Sequence, residues 1–127
     1  MNDLTLEHFE VWLKDYGAAW EAKDISAFSS LFHADAIYYW TPFEDPKKGH
    51  DGIGNAFAAA VATQTDIDFG ARALYVEARL GAAHWSCAFT RKETGNRVRL
   101  DGIFVVQFSE DGSALSFREW WHSDEQK

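Results

Sequence analysis

The second half of the chain is dominated by strand patterns, and this feature constrains the fold more than any other. After residue 65 apolar and polar residues alternate over long stretches, which are interrupted by turn signals at Gly81, at ETGN (93–96) and at SEDG (109–112). Consecutive strands joined by short turns pair antiparallel. The sequence therefore predicts an antiparallel meander of four long strands.

The first half carries helical patterns. Large apolar side chains recur at three- and four-residue spacing from residue 4 to residue 23, with Asp3 as the expected N-cap. Asp24 is expected to cap a second, shorter helix, and Asp51 a third, alanine-rich helix over residues 52–63. We therefore expect three helices in the N-terminal half.

A strand is predicted at AIYYWT (36–41), between the second and third helices, because the segment is β-branched and aromatic and is followed by Pro42. The resulting element order is α-α-β-α-β-β-β-β. It predicts an α+β fold in which three N-terminal helices cover one face of a curved antiparallel sheet.

Composition favours one domain over residues 1–127 with a ligand pocket. The 127 residues are 46% hydrophobic and 25% charged, which is typical of a globular domain. Six Trp, ten Phe and four Tyr are more than a core of this size needs, and aromatic side chains also line small-molecule sites.

Charge and spacing argue against several classes of partner. A net charge of −8 without a basic patch makes nucleic acid an unexpected partner, and the uncharged run 52–65 is too short and too weakly apolar to cross a membrane. The histidines lack metal-ligand spacing, and no phosphate or nucleotide motif is present, so no metal or cofactor is expected. The lone Cys87 and the absence of a signal-like N-terminus predict a cytoplasmic location.

The element order, together with YGAAWEAKDISAFSSLFHADAIYYW (16–40) and VVQFSEDGSALSFREWW (105–121), resembles the nuclear-transport-factor-2-like superfamily, which includes SnoaL-like domains. The resemblance covers nearly the whole chain and implies a cone-shaped α+β barrel that encloses a pocket. The superfamily contains isomerases, hydrolases, cyclases, dehydratases, transport adaptors and non-catalytic binders. The resemblance therefore does not imply one reaction.

The ketosteroid isomerase branch is matched only in part. Tyr16 falls where that branch has its oxyanion-stabilising tyrosine. Trp40, however, occupies the position of the proton-shuttling carboxylate, and Phe104 that of the protonated acid. Because an indole cannot take a proton from carbon, the resemblance implies that this mechanism is absent.

The limonene epoxide hydrolase branch is also matched in part. Glu119 falls where that branch has a catalytic carboxylate, Tyr38 where it has a water-positioning tyrosine, and Phe117 where it has a pocket tryptophan. The catalytic arginine and the second carboxylate of that branch correspond to Trp85 and Cys87 in this sequence. The asparagine that accompanies its water-positioning tyrosine corresponds to Trp40. One carboxylate and one tyrosine of the set are present.

Strand alternation groups these positions on one face, because residues two apart point the same way. If Glu119 faces the pocket, Leu115, Phe117 and Trp121 share its face, whereas Arg118, Trp120 and His122 face outward. The predicted catalytic residues are Glu119, Tyr16 and Tyr38, and the predicted ligand-binding residues are Trp20, Trp40, Trp85, Cys87, Phe117 and Trp121.

Two classes of function follow from this pocket. In the first, the chain binds a small apolar, aromatic or cationic molecule, and Glu119 acts as acid or base in isomerisation, dehydration, cyclisation or hydrolysis. In the second, the chain is a non-catalytic binder or a homodimeric interaction module that uses Trp120, Ile103 and Val105 on the outer face of the sheet. Glu119 has a structural alternative as well, which is a buried ion pair with Arg99 or Arg118.

Overall fold

Three helices and six strands form the part of the chain that the computed structural model describes, residues 3–127. The helices are α1 (Leu6–Ala22), α2 (Ile25–Ser30) and α3 (Gly49–Val61). The strands are β1 (Phe32–Tyr39), β2 (Lys47–Lys48), β3 (Gln64–Glu77), β4 (Leu80–Arg91), β5 (Arg97–Phe108) and β6 (Ala114–Gln126). The predicted element order is confirmed, with the short β2 in addition.

The strands form one curved sheet in the order β2-β1-β6-β5-β4-β3. Strands β3 to β6 are the predicted antiparallel meander, with turns where ETGN and SEDG stand. One pair departs from the expected all-antiparallel sheet, because β1 joins β6 in parallel. The sheet is not closed by hydrogen bonds: β2 and β3 are its edges, and the helices complete the cone on its inner side.

The turn expected at Gly81 lies earlier in the chain. Strand β3 ends at Glu77 and β4 begins at Leu80, so Gly81 is inside a strand. A Cβ at this glycine would lie 2.7 Å from the Phe9 ring of α1. Gly81 therefore marks the close approach of a helix to the sheet.

Of the three predicted helix N-caps, only Asp24 is confirmed. The N-cap of α1 is Thr5, whose Oγ1 accepts a hydrogen bond from the His8 amide at 3.0 Å, so the prediction of Asp3 was wrong. Asp24 caps α2 as predicted, and its Oδ1 accepts from the Ala27 amide at 3.0 Å.

The start of α3 also differs from its prediction. The N-cap is Lys48, without a side-chain hydrogen bond, and Asp51 lies within the first turn. At that position its negative charge interacts favourably with the helix dipole, which explains why an acidic residue stands there without capping.

A bulge in β6 changes which residues face inward. Ala114 pairs with Phe108 and Ser116 with Gln107, which leaves Leu115 as an extra residue. Leu115 is 36% exposed, whereas Ala114 is buried. The prediction that Leu115 faces the pocket was wrong, because alternation does not continue through a bulge.

Within residues 3–127 no helix is long and apolar enough to cross a membrane. The core is one contiguous, largely aromatic cluster that joins all three helices to the sheet. A single domain over residues 1–127 and a cytoplasmic location stay predictions.

The cap of α1 can be tested directly. Thr5→Ala removes the acceptor for the His8 amide and is expected to lower the free energy of unfolding by about 1 kcal/mol. The matched control is Asp3→Ala, for which we expect a change of no more than a few tenths of a kcal/mol, because Asp3 contributes only its charge near the helix start. Urea denaturation of both variants checks this. A loss at Asp3 as large as at Thr5 would contradict the assignment.

Candidate functional site

A cavity of about 130 Å³ lies between the helices and the inner face of the sheet. All three helices and strands β1 and β3 to β6 contribute to its wall, which is mostly aromatic. The lining residues are Tyr16, Trp20, Phe28, Tyr38, Trp40, Phe57, Ala60, Val61, Gln64, Trp85, Leu100, Glu119 and Trp121.

The three predicted catalytic residues form one hydrogen-bonded chain on this wall. The hydroxyl groups of Tyr16 and Tyr38 are 2.8 Å apart, and Tyr38 donates to Glu119 Oε2 at 3.2 Å. A phenol has a single hydrogen, so Tyr38 accepts from Tyr16 while it donates to Glu119. The hydrogen bonds therefore run in one direction, from Tyr16 on α1 through Tyr38 on β1 to the carboxyl group of Glu119 on β6.

Burial governs the protonation of Glu119. The residue keeps part of its surface exposed, but protein atoms enclose its carboxyl group, and this desolvation raises the pKa to about 8 against the opposing hydrogen bond from Tyr38. At neutral pH most molecules therefore carry the acid form. Its proton can be donated to a ligand, because Oε2 already accepts from Tyr38.

The structure offers no cation to Glu119 among the described residues. Arg99 forms its ion pair with Asp124, and the Arg118 guanidinium lies over the Tyr39 ring, 3.9 Å from its centroid. Neither arginine named in the ion-pair alternative pairs with Glu119. The two tyrosines are also neutral, because burial, and secondly the Glu119 charge, hold their pKa values well above 10.

Two predicted ligand-binding residues lie behind the cavity wall instead of on it. Phe117 is fully buried and stacks on Tyr38 at a centroid distance of 4.3 Å and on Tyr16 at 5.5 Å, so it supports the two tyrosines from behind. Cys87 is buried on the inner face of β4, and burial raises its thiol pKa to about 12. Such a thiol is inert as a nucleophile.

The other predicted ligand-binding residues, Trp20, Trp40, Trp85 and Trp121, do line the cavity. Sequence reasoning missed the residues from α2 and α3, such as Phe28 and Phe57, and also Gln64. Gln64 is buried at the start of β3, where its Oε1 accepts from Trp20 Nε1 at 2.8 Å. No local pattern marks these positions, because they meet the cavity only through packing of the helices.

A wider groove of about 900 Å³ lies between residues 40–44 and strands β4, β5 and β6. Trp40, Glu119 and Trp121 line both spaces. The last pair between β1 and β6 joins Tyr39 to Arg118, so β6 has no strand neighbour on that side from Glu119 onward. Glu119 therefore lies at the mouth of the cavity, where the sheet has opened.

No three His, Cys, Asp or Glu side chains within residues 3–127 lie close enough together to hold a metal ion. The nearest approach to such a site is the exposed pair of His84 and Asp101 on the outer face, with Nε2 3.0 Å from both carboxylate oxygens. That no metal or cofactor is used stays a prediction.

The fold is that of the nuclear-transport-factor-2-like proteins. The SnoaL-like domain matches residues 13–117, which is more than half of the chain, and the chain belongs to this family. The matched range contains Tyr16 and Tyr38 and ends two residues before Glu119. None of the curated proteins matches in sequence.

Solved structures show the same fold at low identity. RV0760c from Mycobacterium tuberculosis has a TM-score of 0.80 at 13% identity, covering 97% of this chain and 99% of its own. A ketosteroid-isomerase-like protein from Catenulispora acidiphila DSM 44928, in complex with trimethylamine, has a TM-score of 0.77 at 15% identity, with coverages of 86% and 83%. The epoxide hydrolase/cyclase-like enzyme SalBIII, of pyran ring formation in the polyether salinomycin, has a TM-score of 0.78 at 16% identity, with coverages of 91% and 91%.

The raised pKa of Glu119 predicts how stability depends on pH. In the unfolded chain the Glu119 carboxyl group ionises near the ordinary pKa of 4.5, whereas in the folded protein it keeps its proton up to about pH 8. Wild-type stability therefore falls relative to Glu119→Gln as pH rises from 4.5 to 8, and the difference is constant above 8. One pKa unit corresponds to about 1.4 kcal/mol, and the partial exposure of Glu119 reduces this value. We therefore expect the free energy of unfolding of wild type to fall by about 2 to 4 kcal/mol relative to Glu119→Gln between pH 4.5 and pH 8.

Urea unfolding of both proteins from pH 4 to 9 measures this difference. Glu125→Gln on the same strand is the matched control, because the ion pair with Arg91 lowers the pKa of Glu125 and gives the opposite trend. A Glu119→Gln variant that is clearly less stable than wild type at pH 7 would show that the carboxylate is ionised and paired.

Proposed function

We propose that this chain binds a small, largely apolar molecule in the aromatic cavity and catalyses cofactor-independent proton transfer on it, with Glu119 as the general acid. The reaction classes that fit are isomerisation, dehydration, cyclisation and hydrolysis. Tyr38 orients the carboxyl group, and Tyr16 orients Tyr38. The observation that carries the proposal is a carboxyl group that meets only a neutral hydroxyl group in an aromatic cavity.

The carboxyl group has the properties that general acid catalysis needs. A pKa of about 8 is close to neutral pH, where both protonation states are accessible. A carboxyl group with a strongly shifted pKa at the mouth of a cavity is a frequent sign of an active site. The rings around it lower the local dielectric constant, which strengthens a hydrogen bond to a bound ligand.

A non-catalytic binder is the second candidate. The similar protein from Catenulispora acidiphila is in complex with trimethylamine. Trp40 and Trp121 flank Glu119, and tryptophan faces with an ionised carboxylate attract cations. In this function a cationic ligand binds more tightly above pH 8, where Glu119 is ionised, which is the opposite of the dependence expected for the general acid.

Proton transfer can be tested with acetophenone, a single-ring ketone, in deuterated water. Glu119 is expected to protonate the carbonyl oxygen while water removes a methyl proton, so the methyl group exchanges with deuterium. We expect wild type to exchange it at least tenfold faster than Glu119→Gln at neutral pH, with a decline above pH 8. Proton NMR measures the rate.

Glu125→Gln serves as the control for a carboxyl group outside the cavity. This variant is expected to exchange the methyl protons of acetophenone at the wild-type rate. Binding of acetophenone without exchange would overturn the catalytic proposal in favour of the binder. Equal exchange rates in wild type and Glu119→Gln would exclude Glu119 as the acid.

We also propose a homodimer through the outer face of the sheet. Trp120 is 49% exposed and Ile103 is 36% exposed, and the two residues are paired across β5 and β6. Both are large apolar side chains on a sheet face that no helix covers, and a second copy placed by a two-fold axis would bury them against their equivalents.

Sedimentation velocity tests this proposal at tens of micromolar. We expect wild type to sediment as a dimer and Trp120→Glu as a monomer, because the new carboxylate would be buried twice at the axis. Val11→Glu places the same charge on the exposed side of α1 and should leave the dimer intact. A monomeric wild type would rule out this interface.

A further inference from the structure

Gln64 places a primary amide in the wall of the cavity. Apart from the aromatic residues and Cys87, it carries the only polar side chain that is buried within residues 3–127. The residue is 6% exposed and lines the cavity. A primary amide has two N–H donors and an acceptor oxygen, and burial of such a group is costly unless it forms hydrogen bonds. The partners of this amide therefore matter.

Trp20 fixes the orientation of the amide. The indole Nε1 can only donate, and it lies 2.8 Å from Gln64 Oε1, so the amide nitrogen Nε2 is directed elsewhere. Nε2 has no hydrogen-bond partner among the described residues. Within the same part of the chain, the only fully enclosed polar side-chain atom without a partner is Trp85 Nε1, so Gln64 Nε2 keeps surface that another molecule can reach. Two N–H donors are therefore available at the cavity wall.

Gln64 and the carboxyl group of Glu119 belong to different parts of this wall. Gln64 begins β3 and Glu119 lies on β6, and strands β4 and β5 stand between them in the sheet. Glu119 forms its hydrogen bond with Tyr38, so it does not use the Gln64 donors. A molecule that fills the cavity meets one polar group at β6 and a second at β3, with aromatic rings around both.

The polar groups of the wall are largely uncharged at neutral pH. Burial raises the pKa of Glu119 to about 8, and the amide of Gln64 does not ionise. The hydrogens of Tyr16 and Tyr38 are engaged in the chain to Glu119. The unpaired amide hydrogens of Gln64 repel a cation and require an acceptor. This combination favours a neutral ligand that accepts hydrogen bonds.

We propose that Gln64 is a specificity-determining residue, which selects neutral, largely apolar molecules with two oxygen functions. One oxygen meets the Glu119 carboxyl group, and the second accepts a hydrogen bond from Gln64 Nε2. This specificity rests on the proposed function, in which Glu119 acts on the first oxygen, and it adds the second group that the ligand must carry. A single ring fits the cavity of about 130 Å³, because an apolar cavity of about 150 Å³ holds benzene in another protein.

The test compares two six-membered rings of similar size at pH 6. The first is 1,4-cyclohexanedione, and the second is 4-methylcyclohexanone, which has a methyl group in place of the second carbonyl group. We expect the dione to bind wild type at least as tightly as the monoketone, although water solvates the second carbonyl group more strongly than a methyl group. In ¹⁵N-labelled protein, only the dione should shift the Gln64 side-chain amide protons downfield.

Gln64→Met removes the amide and keeps a side chain of similar length. It is expected to weaken binding of the dione about tenfold, because the second carbonyl group is then buried without a donor, whereas the monoketone binds within about twofold of wild type. Gln107→Met is the matched control, because Gln107 is exposed on β5, and it should change neither affinity. If Gln64→Met does not fold, the amide shifts of wild type still decide the question.

The outcomes separate this specificity from the proposed catalysis. If acetophenone does not exchange while binding of the dione depends on Gln64, the catalytic proposal fails and the specificity stands. If acetophenone exchanges but Gln64→Met binds the dione as wild type does, the specificity fails and the catalytic proposal stands. Equal amide shifts with both rings, a tenfold preference of wild type for the monoketone, or no binding of either ring would also overturn the specificity.

Discussion

A carboxyl group enclosed by aromatic rings must either find a cation or keep its proton, and the chemistry of this protein depends on that constraint. The structure gives Glu119 a tyrosine instead of a cation. The tyrosine stabilises the carboxylate too weakly to offset desolvation, so the acid form persists to about pH 8. Because Tyr16 in turn donates to Tyr38, the chain of hydroxyl groups fixes which carboxyl oxygen accepts and which one is left with the proton.

Aromatic packing makes this arrangement rigid. Phe117 stacks against both tyrosines, and Trp85 stacks on Phe104 at a centroid distance of 4.8 Å. Phe117 and Phe104 also contact each other at 4.6 Å, so the tyrosine pair and the indole belong to one packed layer. Such a layer holds polar groups at fixed positions before a ligand arrives, which lowers the entropic cost of binding. The high aromatic content thus supports the site from behind as well as lining it.

Local patterns in the sequence were sufficient to predict the meander, its last two turns and the Asp24 cap. They were also sufficient to place Trp85 and Cys87 on the inner face of β4. Each of these features depends on residues that are neighbours in the sequence. The Asp3 cap and the inward Leu115 were wrong, because a nearby Thr5 competes for the cap and a bulge breaks the alternation. The resemblance supplied Tyr16, Tyr38 and Glu119 as candidates. Their hydrogen bonds span 22 and 81 residues along the chain. Only tertiary structure shows such relations.

The parallel pairing of β1 with β6 stops at Arg118, and the family match stops at residue 117. From Glu119 onward β6 pairs with β5 alone. Residues 119–121 lie on the continuation of a strand that has a neighbour on one side only, so exchanging their side chains disturbs few backbone contacts. Evolution can vary the chemistry at this mouth while the cone beneath it stays the same. This offers a physical reason why one scaffold can give rise to many unrelated activities.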